Sequence, residues 1–188
     1  MKIGIDVSQL AYENTGVANF LKLLVQSLIK LDNKNEYVLF YSSLRKTIQS
    51  SEFIIQNGDS KNQELPSNVQ IKKFRIPPTL LDLFWNKFHI FPIERFIGDV
   101  DVFITSDWTE PPAKKAKKAT ILYDLIVYKY PKETHKKIIE VQKRKLAWVK
   151  KESDKIFCIS ESTVKDAAQI LGISRDRLEV IYPGIDEA

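Results

Sequence analysis

Cysteine occurs once and histidine twice in the 188 residues, and each shortage removes a class of chemistry. A lone Cys158 makes no internal disulfide, and its neighbours Ile156, Phe157 and Ile159 mark it as a small buried strand residue. His89 and His135 have no Cys or His partner at ligand spacing, so no zinc site or other metal centre is expected. No stretch approaches the roughly 18 uncharged apolar residues that span a bilayer. The opening Met1-Lys2-Ile3-Gly4-Ile5-Asp6 lacks a signal-peptide hydrophobic region, because Asp6 interrupts it. A cytosolic chain is the expectation. Neither Gly-x-Gly-x-x-Gly nor a Gly-Lys-Ser/Thr phosphate loop occurs, which counts against dinucleotide oxidoreductases and P-loop NTPases.

What is present reads as one α/β domain. The length suits a single well-buried domain and is short for two. Apolar residues make up 44% and charged residues 28%, close to globular averages, so nothing marks the chain as disordered. The net charge of +5 is uneven. From Lys132 to Glu152 there are eight Lys/Arg (Lys132, Lys136, Lys137, Lys143, Arg144, Lys145, Lys150, Lys151) against three Glu. Lys114-Lys115-Ala116-Lys117-Lys118 forms a second basic spot. Both read as solvated surfaces or as attraction to an anionic membrane surface. No nucleic-acid recognition motif accompanies the charge.

Lys2–Val7 alternates as a first strand, with Ile3, Ile5 and Val7 on one side. A polar loop, Ser8–Gly16, leads to an amphipathic helix over Val17–Leu31, with Phe20, Leu24, Leu28 and Leu31 along one face and Leu21 and Val25 widening it. Asn14 and Thr15 suit its cap. Further strands are expected at Tyr37–Tyr41, Phe53–Ile55, Val69–Phe74, Asp101–Thr105, Ala119–Tyr123, Lys155–Ile159 and Leu178–Ile181. Helices are expected over Leu80–Phe96 with a break at Pro92, over Pro131–Lys151, and over Glu161–Leu171 closed by Gly172. The basic helix would turn His135, Ile138, Ile139, Gln142, Leu146 and Val149 inward. Strands alternating with helices predict a Rossmann-like, doubly wound parallel sheet whose ligands meet the carboxyl ends of the strands.

Those strand ends carry the candidate chemistry. Thr15-Gly16-Val17 opens the first helix, where free N–H groups and the helix dipole favour a phosphate, or where the glycine simply makes a turn. Asp107 and Trp108 lie in Thr105-Ser106-Asp107-Trp108-Thr109-Glu110-Pro111-Pro112, which reads equally as a sugar-binding cluster or a proline-rich loop. Tyr123-Asp124 ends the middle strand, with Asp124 a substrate ligand or a turn cap. Ser160-Glu161 begins a helix, and capping is the simpler role for Ser160.

Taken in order, these segments resemble the N-terminal domain of retaining glycosyltransferases with the GT-B fold, specifically glycosyltransferase family 4. The resemblance rests on Ile3-Gly4-Ile5-Asp6 with Thr15-Gly16-Val17, Asp101–Ser106 with Pro111-Pro112, and Thr120–Ile126 with Pro131. Ile159–Thr163 and Val180-Ile181-Tyr182-Pro183-Gly184-Ile185-Asp186 complete it. It implies two lobes facing a cleft, with the nucleotide-sugar donor held mainly by the C-terminal lobe and the acceptor by this one. It also implies no metal, no organic cofactor, and donor phosphates near Thr15, Gly16 and Val17. Asp107, Trp108, Ser160 and Glu161 would then bind substrate. Asp124 carries over at the catalytic position, while Tyr123 stands where many relatives have His. Tyr123 forms hydrogen bonds but is no base near neutral pH.

On this reading residues 1–182 form the acceptor-side lobe and 183–188 begin a hinge to an absent donor lobe. The lone lobe is expected to be inactive and, when whole, the enzyme to work at the cytoplasmic membrane face on a glycan or lipid-linked acceptor. The alternative is a stand-alone binding module that pairs with a separately encoded donor lobe. A nucleotide-sugar epimerase of the same fold is disfavoured, since neither histidine falls at an expected strand end.

Overall fold

The computed structural model describes residues 1–49, 53 and 65–184. Its strands are β1 (Lys2–Asp6), β2 (Glu36–Ser42), β3 (Val69–Phe74), β4 (Val102–Thr105), β5 (Lys117–Leu122), β6 (Lys155–Cys158) and β7 (Leu178–Val180). The helices are α1 (Gly16–Leu31), α2 (Pro78–Leu81), α3 (Glu94–Ile97), α4 (Ile126–Lys129), α5 (Lys136–Glu152) and α6 (Glu161–Leu171). All strand pairs are parallel, in the order β3-β2-β1-β4-β5-β6-β7. The doubly wound class expected from the alternation is the one observed.

Both faces of β1 are covered, so its simple alternation understates its burial. Ile3 and Ile5 join Leu21 and Val25 of α1 with Leu39 of β2 in one apolar cluster. Gly4 turns the other way, and a Cβ there would come within 2.7 Å of Phe103 and 2.8 Å of Ile97. Glycine is thus required by close packing rather than by backbone conformation. Phe103 and Ile97 belong to a second cluster with Phe40 and Trp85. A third joins Leu146 and Val149 of α5 to Ile156, Val164 and Leu178. Cys158 lies in this third cluster as expected, fully buried and unpaired, with burial pushing its thiol up to about 11.

Cap signals held. The Thr15 hydroxyl oxygen accepts from the Ala18 N–H at 3.2 Å, and Asn14 before it is left-handed at φ 64°. The Ser160 hydroxyl oxygen accepts from the Thr163 N–H at 3.1 Å, and Gly172 closes α6 at φ 63°. Strand ends fall within two residues of expectation, the usual ambiguity of boundaries.

Several details differ. On α1, Leu21 and Val25 are fully buried as expected and Phe20, Leu24 and Leu28 pack beside them, but Leu31 is 82% exposed. The segment expected as helical over 80–96 with a break at Pro92 is instead α2, a wide π-type stretch over Asp82–Lys87, an irregular turn, and α3. The turn is set before Pro92 by His89 and Phe91, whose φ angles are 53° and 61°. Pro131 lies in the turn ahead of α5, and His135 is its exposed cap rather than an inner residue: its Nδ1 accepts from the Lys137 N–H at 3.3 Å. Ile138 also faces outward. Of the strand expected at 53–55, Phe53 is buried, and Ile54 and Ile55 lie outside the described residues.

Candidate functional site

The strand order reverses between β1 and β4. Connections from two such strands diverge, leaving a crevice at their carboxyl ends where open α/β sheets bind ligands. Asp6 ends β1 in that crevice and is buried. Its Oδ1 accepts from the Ser8 N–H at 2.9 Å, and its Oδ2 accepts from the Thr109 hydroxyl at 3.4 Å. Burial pushes this carboxyl above its ordinary value, against the Ser8 contacts that favour the charge.

The loop after β4 folds inward instead of spreading over the surface. Ser106, Thr109 and Glu110 are buried, and Asp107 and Trp108 are half-buried. Gln142 of α5 reaches across to donate to Asp107 twice, at 3.0 Å to its carbonyl and 3.1 Å to Oδ1. Asn86 brackets the same loop, donating to the Trp108 carbonyl at 2.9 Å and accepting from the Glu110 N–H at 2.9 Å. Burial raises the Asp107 carboxyl above its ordinary value, while Lys145 and Gln142 oppose the shift.

Lys145 is the organising cation. It is buried on α5, its Nζ donates to the Ser106 carbonyl, and it reaches the Thr120 hydroxyl at 3.2 Å. Burial lowers its affinity for a proton, and the charges of Glu110, Asp107 and Asp6 raise it. Beneath it the Thr105 hydroxyl donates to Glu110 Oε2 at 2.5 Å and lies 2.7 Å from the Thr120 hydroxyl. Glu110 Oε1 meets Lys118 at 2.9 Å as a charge pair without an aligned hydrogen bond. Lys118 also donates to Glu152 at 2.9 Å.

The expected site residues separate into two groups. Asp107, Trp108, Tyr123 and Asp124 converge around a cavity of about 170 Å³ that Gln142 and Lys145 also line. The Tyr123 hydroxyl lies 3.0 Å from Ser106 Oγ, and its ring meets Phe20 edge-on. Burial moves this phenol further from ionisation, so it stays a neutral hydrogen-bonding group. Asp124 is exposed and accepts from the Ile126 N–H at 3.0 Å, so it closes the turn that leads into α4 as well as facing the cavity. Ser160 caps α6, Glu161 is exposed in its first turn, and neither lines this cavity. Thr15, Gly16 and Val17 open α1, and a Cβ on Gly16 would meet nothing within 4 Å. Neither φ nor crowding requires glycine there, and the backbone is open to approach.

Trp108 lines two further cavities. One of about 320 Å³ holds Asp6, Ser8, Tyr12, Ser42, Arg45 and Lys46. The other, about 220 Å³, lies between Pro78, Thr79 and Asp82 on one side and Lys137, Ile138 and Val141 on the other. Among the described residues no three of His, Cys, Asp or Glu converge to hold a metal ion.

Sequence reasoning overlooked Asp6, Glu110, Lys118 and Lys145 as site residues. Lys118 and Lys145 were counted among solvated charges, yet both are buried, and Arg144 is turned toward Asp82 at 2.6 Å. A signal existed: Lys145 follows Gln142 by three positions and precedes Val149 by four, which places it on the inward stripe.

A doubly wound parallel sheet with buried carboxylates and an indole gathered at its switch point defines a Rossmann-like enzyme lobe. The chain belongs to Glycosyltransferase Family 4, whose family model matches residues 15–188. Its sheet is the N-terminal lobe of the GT-B fold, and its function is of the glycosyltransferase type, with a sugar donor and an acceptor as substrates. No curated protein matches the chain significantly.

Proposed function

We propose that this lobe binds the acceptor in a retaining, metal-independent transfer of a sugar from a nucleotide-sugar donor to a glycan or lipid-linked acceptor. The observation that carries the reading is Trp108, an indole shared by three cavities and flanked by two carboxylates, the buried Asp6 and the half-buried Asp107. An indole face stacks on the C–H face of a pyranose, and carboxylates aimed beside it accept from sugar hydroxyls. Asp107 and Asp124 orient the acceptor hydroxyl, and Tyr123 and Ser106 contribute neutral hydrogen bonds. The N-terminus of α1 at Thr15, Gly16 and Val17 receives the donor phosphates, where the N–H groups and the dipole stabilise leaving-group charge. Ser160 holds the α6 terminus, with Glu161 at its rim as a substrate contact.

A second, donor-binding lobe completes the cleft beyond residues 183–188, and residues 1–182 alone do not turn over. Transfer then depends on placing two substrates, with no organic cofactor. The exposed lysines of 132–151 attract the lobe to an anionic membrane surface on the cytoplasmic side.

Glycan-array and glycolipid-array binding by this chain tests the acceptor role. Wild type binds a restricted set of sugars, and Trp108→Ala weakens that binding by roughly tenfold or more, the loss of one stacked ring. Equal binding by both proteins, or none by wild type, overturns the assignment.

A further inference from the structure

The turn between the π-type stretch and α3 exposes Phe88, Ile90 and Phe91 by 56%, 42% and 37%. Their neighbours Trp85 and Ile93 are fully buried, so the exposure is confined to the tip. The tip is not slack. His89 and Phe91 are both left-handed, a conformation that L-residues adopt only when their surroundings enforce it. The His89 ring lies flat on Trp148, with centroids 3.5 Å apart and planes 6° apart. Its Nδ1 is 2.8 Å from the Trp85 carbonyl and its Nε2 is 3.0 Å from both Glu152 oxygens. Trp85 Nε1 donates to the Phe91 carbonyl at 3.0 Å. The turn is pinned from within while its apolar side chains stay outside.

Cations rim this tip. Lys87 sits 5.6 Å from the Phe88 ring, Arg95 5.3 Å from the Phe91 ring and Lys151 4.7 Å from the Trp148 ring. Among the described residues none of the three forms an ion pair. The nearby acids are already engaged: Glu152 with His89 and Lys118, Glu94 with the N–H groups of residues 114–116, and Asp82 with Arg144. The result is an apolar tip whose unpaired charged neighbours, Lys87, Arg95 and Lys151, are all cations. That is the chemistry of the bilayer interface, where aromatic and aliphatic groups enter the headgroup layer and basic side chains meet lipid phosphates.

We propose that this face docks on an anionic lipid bilayer, with Phe88 and Ile90 inserted and Lys87, Arg95 and Lys151 on the headgroups. The proposal deepens the membrane-facing part of the preceding reading and relocates the contact. None of Phe88, Ile90, Lys87, Arg95 and Lys151 lines the three cavities around Trp108, so docking here leaves them open.

Flotation of the chain with vesicles of phosphatidylcholine and phosphatidylglycerol in equal parts tests it. Wild type binds these vesicles and not phosphatidylcholine alone. Phe88→Ser with Ile90→Ser abolishes insertion, read as loss of the blue shift of tryptophan or of an interfacial probe. Lys87→Gln with Arg95→Gln and Lys151→Gln weakens partitioning on the order of a hundredfold at low salt. All five positions are solvent-facing, and unchanged thermal melts keep the comparison clean. The proposal falls if wild type ignores anionic vesicles or if both variants bind as wild type does. It also falls if Lys136→Gln with Lys137→Gln removes binding instead, or if the serine pair abolishes a dimer seen by light scattering while vesicle binding persists. Flotation needs no sugar, so its failure leaves acceptor binding standing, and failure on the glycan arrays leaves docking standing.

Discussion

The two long helices α1 and α5 cover the same sheet by different physics. α1 lays Ala18, Leu21 and Val25 on Ile5 and Leu39, a contact made of hydrocarbon. α5 adds a polar seam to its apolar stripe of Leu146 and Val149: Gln142 to Asp107, Arg144 to Asp82, Lys145 to Ser106, Trp148 to the Asn86 carbonyl and Glu152 to Lys118. Apolar burial is non-directional and tolerates shape-conserving change. A buried charge network fails when one member is removed, because its partners are left desolvated. The helix whose side chains reach into the cavity beside Trp108 is therefore the one built on direction, and the helix that lends only its N-terminus is built on area.

That contrast breaks hardest at Lys118. Lys118→Met strands Glu110 and half-strands Glu152, and urea unfolding should show a loss of about 3–5 kcal/mol. Adding Glu110→Gln should return a large part of it, whereas a purely steric defect would not be rescued. Leu21→Ala on α1 should cost about 2–5 kcal/mol through lost transfer energy and a cavity, and no second polar change should repair it.

A finer division appears in pH dependence. Burial opposes ionisation of Glu152, but the Lys118 and His89 contacts outweigh it and hold the carboxyl below its ordinary 4.5. Its stabilising contribution is fully present above the unfolded value and is lost as pH falls through the folded one. Glu152→Gln should flatten the acid limb of a plot of Tm against pH. Asp6 has the opposite sign, because its carboxyl is raised above 3.8 by burial. It disfavours the fold as pH climbs from the unfolded value through the folded one, so Asp6→Asn should gain Tm over wild type as pH rises through that window. If both variants move the same limb, the assignment of causes is wrong. The smallest effect is expected at Leu31, where Leu31→Gln should change stability by about 0.5 kcal/mol or less, as for any exposed position. A larger loss would mean the end of α1 is covered.

Much of this was legible from residues alone. Period-two and period-3.6 patterns, the caps at Thr15 and Ser160 and the stop at Gly172 located the strands and the cleaner helices, since local backbone chemistry decides them. The segment from 80 to 96 was not legible, because its shape is set by Trp85, His89 and Trp148 meeting across 63 positions of chain. Of the candidate residues read at strand ends, Asp107, Trp108, Tyr123 and Asp124 line one cavity, because strand ends converge by topology. Lys118 and Lys145 were missed because a charged side chain in a basic run reads as solvated until its partners are known.

The sequence by itself determined the alternation of elements, hence a parallel doubly wound sheet, and through its ordered motifs the Glycosyltransferase Family 4 membership. Only the tertiary structure decided which lysines face water and which face carboxylates. Burial of a charge depends on partners remote in the chain, and the free energy that permits it exists only once those partners share a volume from which water is excluded.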